Sequence, residues 1–516
     1  TNARIVTVSG GEIAKGTVVI RDGLIEAVGE TARVPADAKV FDGNGLSVYP
    51  GLIDTYTSLG FPTAAQRPPG QGGGAGQAQT QPTSNSNYSA SLQPENAIVE
   101  RLTGGDAQFE TVRNNGFTTV LTVSRDGIFN GQSAVINLAG DSVSAMVLRS
   151  NYAQHITFRT GQGGYPTSLM GTFSALRQMF LDAQRLNEWK KMYEKNPRGI
   201  KRPDSDKSLE ALIPLLNREM PTVFNANSEI EIIRAIDFAK EFNLKLMVAG
   251  GNEAWKVADR LKKADATVLL SLNFPKKTTA NSLDADPEPL ETLRLRVEIP
   301  KNAARLAQAG VKFAFQSGGM QSLGDFLANA NKAVENGLPK SNALRAMTLG
   351  SAEVLGVADR LGSIETGKIA NLVVTKGDIF AKDKAITHVF VDGKLFEQKP
   401  PAPTPTRPPT GGGTTPNPSL AGTWSITIEA PGQTIPATLT FQQQGTKLTG
   451  NMNATGIGTS EIKNGEVTSD GFRFDTTVNF GGQSIDISFS GKVTGNQVSG
   501  TATTPRGCAK QTRRFR

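Results

Sequence analysis

Apolar and polar positions alternate over residues 3–29. Ala3-Arg4-Ile5-Val6-Thr7-Val8 and Thr17-Val18-Val19-Ile20 read as strands, and Asp22-Gly23 before Leu24-Ile25-Glu26-Ala27-Val28 is a two-residue hairpin signal. From about Ser47 the texture changes to short apolar runs separated by segments of helical period, which predicts parallel βα units. The runs are 48–54, 117–123, 134–138, 145–148, 222–225, 245–249, 267–271 and 312–316, with helical patterns over 230–242 and 254–262 between them. Eight runs predict an α/β fold built as a closed (β/α)8 TIM-like barrel, the third run being free to pair back as a hairpin. After a helical pattern over 341–355, alternation returns in Asn371-Leu372-Val373-Val374 and His388-Val389-Phe390-Val391, followed by a turn at Asp392-Gly393. Neither end could bury its period-two strands alone, so residues 1–50 and 365–398 are expected to form one composite β-sandwich beside a barrel of 51–364.

Two stretches lie outside this pattern. Residues 62–95 are rich in Gln, Gly, Pro and Ser, too polar to offset the entropy of ordering, and read as a disordered loop at the barrel rim. Residues 399–418 join a Pro-rich stretch to a Gly-rich one and read as a linker. Beyond it, short alternating strands over 424–428, 437–441, 447–452, 471–480, 484–493 and 497–503, with turns at Asn464-Gly465, Asp470-Gly471 and Gly495-Asn496, predict a C-terminal all-β barrel over 419–516.

Charge narrows the function only slightly. The chain of 516 residues holds 55 Lys+Arg against 47 Asp+Glu, net +8, but the charges are dispersed. The basic clusters Lys190, Lys191, Lys195, Arg198, Lys201, Arg202 and Arg506, Lys510, Arg513, Arg514, Arg516 carry no stacking motif, so they read as solvated surface, with no nucleic-acid partner expected. The single Cys508 excludes an internal disulfide and a thiolate metal cluster. No run reaches the ~18–20 apolar residues of a membrane span. The sequence opens at Thr1 already inside a strand pattern, and removal of a secretory leader is the expected reason, which points to an extracytoplasmic location. Only two histidines occur, His155 and His388, whereas hydrolytic zinc sites usually draw two or three imidazoles into one shell.

Three motifs together resemble the opening of the amidohydrolase superfamily, which includes dihydroorotase and imidazolonepropionase. They are the first strand, Gly16-Thr17-Val18-Val19-Ile20-Arg21-Asp22-Gly23-Leu24-Ile25-Glu26-Ala27-Val28-Gly29, and Tyr49-Pro50-Gly51-Leu52-Ile53-Asp54. The close of the main body is similar to that family too, in Ala343-Leu344-Arg345-Ala346-Met347-Thr348 and in Leu355-Gly356-Val357-Ala358-Asp359-Arg360-Leu361-Gly362 through Lys368-Ile369-Ala370-Asn371-Leu372. The resemblance covers about residues 3–397. It implies a hydrolase of non-peptide C–N bonds, with one or two divalent metals at the barrel mouth. Their ligands would be a His-x-His pair after the first strand, a Lys or Glu on the fourth, His on the fifth and sixth, and Asp on the eighth.

This chain departs from that set at the matching positions. Tyr56 and Ser58 stand for the His-x-His pair, Asn225 for the fifth-strand His, and Gly250 and Gly251 for the sixth. In Phe315-Gln316-Ser317-Gly318-Gly319, Gly318 stands near the expected aspartate. No metal ligand is assigned and no cofactor is expected, the alternative being a divalent metal such as zinc. Asp54 and Glu253 are the remaining candidate catalytic carboxylates, set against a role in ordering loop backbone. Tyr56, Ser58, Asn225, Asn252 and Ser317 are candidate binding residues of the mouth, set against simple filling of space. His155 and His388 read as structural.

In the last domain Gly422-Thr423-Trp424 resembles the Gly-x-Trp signature of lipocalin-like (calycin) barrels, in which a late Arg, here Arg513 or Arg514, covers the Trp. The expectation is an amidohydrolase-like protein with a degenerate metal site, serving as a non-catalytic binding or assembly subunit. The alternatives are a C–N hydrolase with an atypical metal or carboxylate site, and an envelope or carbohydrate binder acting through the C-terminal barrel. Expected partners are a second copy or a related amidohydrolase, through a helix over 174–193 bearing Met179, Phe180, Leu186, Trp189, Met192 and Tyr193.

Overall fold

The computed structural model describes residues 1–60, 88–105, 108–140, 142–161, 164–276, 288–320, 322–397, 420–430, 433–454, 458–467, 471–480, 483–494, 497–503 and 512–515. The chain divides into two compact units, Thr1–Ala402 and Pro403–Arg516.

The first unit opens with β1 (Ala3–Val6), β2 (Glu12–Arg21), β3 (Leu24–Gly29) and β4 (Leu46–Pro50), and then β5 (Leu52–Thr57) carries the chain into the main body. The main body holds β6 (Phe117–Thr122), β7 (Phe129–Gln132), β8 (Ala134–Asn137), β9 (Val147–Arg149), β10 (Gln154–Thr157), β11 (Thr222–Ala226), β12 (Leu246–Gly250), β13 (Thr267–Ser271) and β14 (Lys312–Gln316). The unit closes with β15 (Leu372–Lys376), β16 (Ala385–Val391) and β17 (Lys394–Glu397).

Strands from both ends lie in one seven-stranded sheet of order β17-β16-β15-β4-β1-β2-β3. Leu372 pairs with Pro50 and Lys376 with Leu46, so β15 runs antiparallel along the strand that leads into the main body. The sheet folds over at β2, whose first half pairs with β1 and whose second half pairs with β3. Gly16 sits at that change of partner, where a Cβ would lie 2.7 Å from Ile5 Cδ1. Ala3, Ile5, Ile25, Val48, Leu372 and Val374 form the core of the fold-over. Both Asp-Gly turns have positive φ at both residues, 52° and 81° at Asp22-Gly23 and 50° and 72° at Asp392-Gly393, the backbone that joins right-twisted strands in two residues.

The main body contains a six-stranded sheet, β14-β13-β12-β11-β10-β7, and a four-stranded sheet, β5-β6-β8-β9. Only Ser133 separates β7 from β8, so one reversed stretch of chain serves both sheets, pairing antiparallel with β10 and with β6. On the far side β14 meets β5 through the Thr55 hydroxyl, which donates to the Phe315 carbonyl at 3.0 Å. Helices pack apolar faces on the outside of the parallel strands. Phe180 from the helix Leu169–Lys195 meets Phe238 and Phe242 at centroid separations of 5.3 and 5.0 Å. The helix Glu229–Glu241 starts with a capping box between Ser228 and Glu231.

Several sequence expectations are corrected. The run 145–148 is no sheet-core strand: a helical turn at Val143–Met146 leads into β9, and the strand beside β11 is β10, hidden in sequence by its buried polar Gln154 and His155. The helix expected over 341–355 is two helices, Lys340–Met347 and Leu349–Leu355, broken at Thr348 with φ −135° and ψ −103°. Of the expected rim loop, residues 62–87 lie outside the described residues, while the part from 91 to 95 is packed. Leu92 and Gln93 are buried there, and the Ser91 carbonyl accepts the N–H groups of Ile128 and Phe129. Met179, Phe180 and Leu186 of the supposed contact helix are buried in this unit, because the helix lays them against the sheet; Met192, 55% exposed, remains outside.

The second unit is a curled antiparallel sheet of β18 (Gly422–Ala430), β19 (Gln433–Gln444), β20 (Lys447–Ala454), β21 (Gly458–Val467), β22 (Gly471–Phe480), β23 (Gln483–Thr494), β24 (Gln497–Thr503) and β25 (Thr512–Phe515) in sequence order. It returns on itself where Ile428 pairs with Phe515. Alternate residues such as Leu439, Phe441, Leu448, Met452, Phe474 and Phe489 fill its interior. Asn464-Gly465 is not a turn. It lies inside β21 with Asn464 at φ 51°, at a register shift between Lys463 and Glu466, as in a β-bulge. Trp424 is half-buried and its Nε1 donates to the Leu420 carbonyl at 2.9 Å, while the side chains of Arg513 and Arg514 and the linker 399–418 lie outside the described residues.

Candidate functional site

The site gathers where β5 and β14 end side by side. Every residue of β5 is buried, so Asp54, 1% exposed, has no water to solvate its charge. Its Oδ1 accepts two backbone N–H groups, from Ser317 at 3.0 Å and from Tyr56 at 3.2 Å. Burial pushes the carboxyl up to about 6, against the opposing pull of the Ser317 side-chain and backbone hydrogen bonds, the Tyr56 amide and the charge of Arg125.

Tyr56 fills the space next to it. Its ring is 5% exposed, its hydroxyl accepts from Asn225 Nδ2 at 3.5 Å, and burial raises its pKa, which keeps it a neutral phenol. The Tyr56 ring lies 5.6 Å from the imidazole of His155 and 5.7 Å from the Arg125 guanidinium. His155 is 1% exposed. The Ser133 hydroxyl donates to the Ala153 carbonyl at 3.2 Å, so in its 2.9 Å contact with Ser133 Oγ, His155 Nε2 is the donor, and Nδ1 is left as a bare acceptor without a partner. Desolvation pushes the imidazole down to about 3, so the ring is neutral.

Asp54, Tyr56, Asn225 and Ser317, all foreseen from sequence, thus form one contact group. The other candidates fall outside it. Ser58 is exposed beyond the end of β5. Asn252 gives its carbonyl to Asn302 Nδ2 at 3.3 Å and leaves Oδ1 without a partner. Glu253 Oε2 accepts the Glu229 N–H at 2.7 Å, at the start of the helix Glu229–Glu241, and Oε1 pairs with Lys256 at 2.8 Å, so both oxygens are already engaged.

Sequence reasoning missed Arg125, the contact of His155 with Tyr56, and Gln316, whose Nε2 donates to the Leu269 carbonyl at 3.0 Å while its buried Oε1 has no partner. Arg125 had a signal, since Ser124-Arg125-Asp126-Gly127 follows an apolar strand directly. Its guanidinium lies across Gly319, φ 72°, where a Cβ would come within 2.5 Å of Nη1. Among the described residues, no three His, Cys, Asp or Glu side chains converge as a cation-holding set.

The profile of the amidohydrolase family matches residues 104–396. Solved structures of similar fold include an amidohydrolase from Thermotoga maritima, 24% identical with a TM-score of 0.63, covering 77% of this chain and 99% of that one. A Xaa-Pro dipeptidase with bound methionine is 17% identical at a TM-score of 0.46, and the guanine deaminase of E. coli 15% identical at 0.43, each covering 77% of this chain and 98% of its own. No curated protein matches the chain.

Proposed function

This chain belongs to the amidohydrolase family, and we propose that it uses the family's fold without the family's metal, as a non-catalytic binding or assembly protein. The observation that carries this reading is the commitment of Asp54 Oδ1 to the amides of Tyr56 and Ser317. The carboxylate nearest the expected metal position holds β5 to β14, and Tyr56 occupies the space beside it.

The donor chemistry does not fit a divalent ion. Zinc sites are built from thiolate, imidazole and carboxylate donors, whereas this group offers one carboxyl, a neutral phenol, an amide and a hydroxyl. His155, the one imidazole nearby, already gives Nε2 to Ser133.

The same reading takes the two main-body sheets as the two halves of one closed barrel, with the β7–β8 stretch as its reversed member. It takes the second unit as a calycin-like module, and it expects the assembled form to be a homo-oligomer or a pairing with a metal-competent relative.

Elemental analysis of the purified, metal-reloaded and desalted protein tests the proposal. The expected result is zinc, manganese, iron and nickel each far below one equivalent. A stoichiometric metal lost on Asp54→Asn substitution would sink it. A rival reading uses Asp54, with its carboxyl near 6, as a general acid or base in metal-independent hydrolysis; it requires turnover of amide, imide or amidine substrates that Asp54→Asn abolishes.

A further inference from the structure

A cavity of about 420 Å³ lies between the folded seven-stranded sheet and the segment 30–45, and none of the residues of the Asp54 group lines it. That volume is within the ~300–1,000 Å³ of ordinary small-molecule sites. Its walls are apolar on both sides: Val18, Ile20 and Leu395 come from the sheet, and Val34, Val40 and Phe41 from the segment. The segment does not close on the sheet. Val34 and Val40 remain 38% and 56% exposed although they face an apolar wall, an arrangement that leaves burial free energy uncollected until something fills the gap.

The polar groups at the cavity are unequal. Lys39 stands with its Nζ 4.9 Å from the centroid of the Phe41 ring and has no carboxylate partner among the described residues. His388 meets the Phe41 ring edge-on at 5.9 Å; the Thr387 hydroxyl donates to the Val374 carbonyl at 3.1 Å, so the tautomer that donates from Nδ1 to Thr387 Oγ1 at 3.0 Å leaves Nε2 an acceptor. Asp42, the carboxylate lining the cavity, is already held by Asn2 Nδ2 and the Asn44 amide at 3.2 Å each. Asp42 keeps its negative charge, its pKa lowered by those bonds, so the lining holds one carboxylate already met by amide donors and one cation, Lys39, without an ion-pair partner among the described residues; the body of the cavity is aliphatic.

We propose that this cavity binds an amphiphilic monocarboxylate, its hydrocarbon part between Val18, Ile20, Val34 and Val40 and its carboxylate against Lys39. The assignment is independent of the reading of the Asp54 group and stands whether or not that group catalyses.

Isothermal titration of the full chain with sodium decanoate, decan-1-ol and decyltrimethylammonium tests it. Saturable one-to-one binding of decanoate is expected, stronger than that of the alcohol, with no binding of the cation. Lys39→Glu should weaken decanoate about tenfold, the loss of one favourable charge contact and its reversal, while Lys39→Arg keeps it. Val40→Asp should weaken decanoate and decanol together. Lys39 and Val40 are both exposed, so these variants keep the fold, which circular dichroism checks. Absence of saturable decanoate binding, several equivalents bound as by a detergent, equal affinity for all three probes, or decanoate affinity unmoved by Lys39→Glu would each overturn the proposal.

Discussion

Asp54 Oδ1 accepts the backbone N–H of Ser317 at 3.0 Å, across 263 residues of sequence, and with the Thr55 hydroxyl bond to the Phe315 carbonyl it joins β5 to the end of β14. A buried carboxylate used in this way acts as a replacement for ladder hydrogen bonds that β5 and β14 do not form with each other. Asp54→Ala leaves two buried amides without an acceptor and should cost about 1–3 kcal/mol for each in urea unfolding. Asp54→Asn keeps an acceptor oxygen and should cost much less. Equal losses from the two substitutions would show that the charge, not the acceptor, matters.

A second buried polar group ties the seven-stranded sheet to the four-stranded one. Asn371 Nδ2 donates to Thr119 Oγ1 at 3.1 Å and to Asn137 Oδ1 at 3.0 Å, its Oδ1 accepts the Asp392 N–H at 2.9 Å, and Asn137 Nδ2 donates to Asp392 Oδ1 at 2.6 Å. Every member is satisfied, so removing one orphans several. Asn371→Leu should destabilise the first unit by roughly 2–4 kcal/mol. Asn137→Leu on that background should then add little, because the two substitutions remove the same network.

The features legible in the sequence are those fixed locally. Asp22-Gly23 and Asp392-Gly393 announce their turns because few residue pairs tolerate positive φ twice. The apolar runs that became β11 to β14 are buried on both faces, and such strands read as unbroken apolar sequence. β10 escaped because Gln154 and His155 are buried polar residues whose stability rests on contacts with other strands. Asn464-Gly465 misled for the opposite reason, since the same φ preference serves a bulge as well as a turn. Of the site, Asp54, Tyr56, Asn225 and Ser317 could be named from their matching positions. His155 could not, because what brings it to Tyr56 is the pairing of separate strands.

The expected association can be tested at the end of the helix Leu169–Lys195. Leu186 is its last buried residue, and beyond it Trp189 Nε1 donates to the Lys201 carbonyl while Met192 is 55% exposed. If the chain assembles through this end, light scattering gives a mass above that of one 516-residue chain, and Met192→Glu with Tyr193→Glu lowers it. A monomer at micromolar concentration, indifferent to the double substitution, would remove this surface from consideration.

The last prediction comes from the contact between Tyr56 and His155, which puts two oppositely perturbed groups on either side of one ring. The Asp54 carboxyl is raised from 3.8 to about 6, so between pH 4 and 6 folding takes up a proton there; the stability this gives is full below 3.8 and is lost as pH rises through 6. The His155 imidazole is lowered from 6.5 to about 3, so over the same interval folding releases a proton there; its contribution is full above 6.5 and is lost on acidification. Each slope is about 1.4 kcal/mol per pH unit and they have opposite signs, so the pair contributes little net pH dependence between 4 and 6. Asp54→Asn removes one side of the balance. Relative to the unsubstituted chain, its stability should then fall as pH is lowered from 6 to 4, by on the order of 2–3 kcal/mol over the interval. His155→Gln should tilt the other way, gaining relative stability over the same range. Urea unfolding at half-unit steps measures both, and each is read as a difference from the unsubstituted chain so that other titrating groups cancel. Parallel pH profiles for all three proteins would mean that neither group is perturbed as its burial requires.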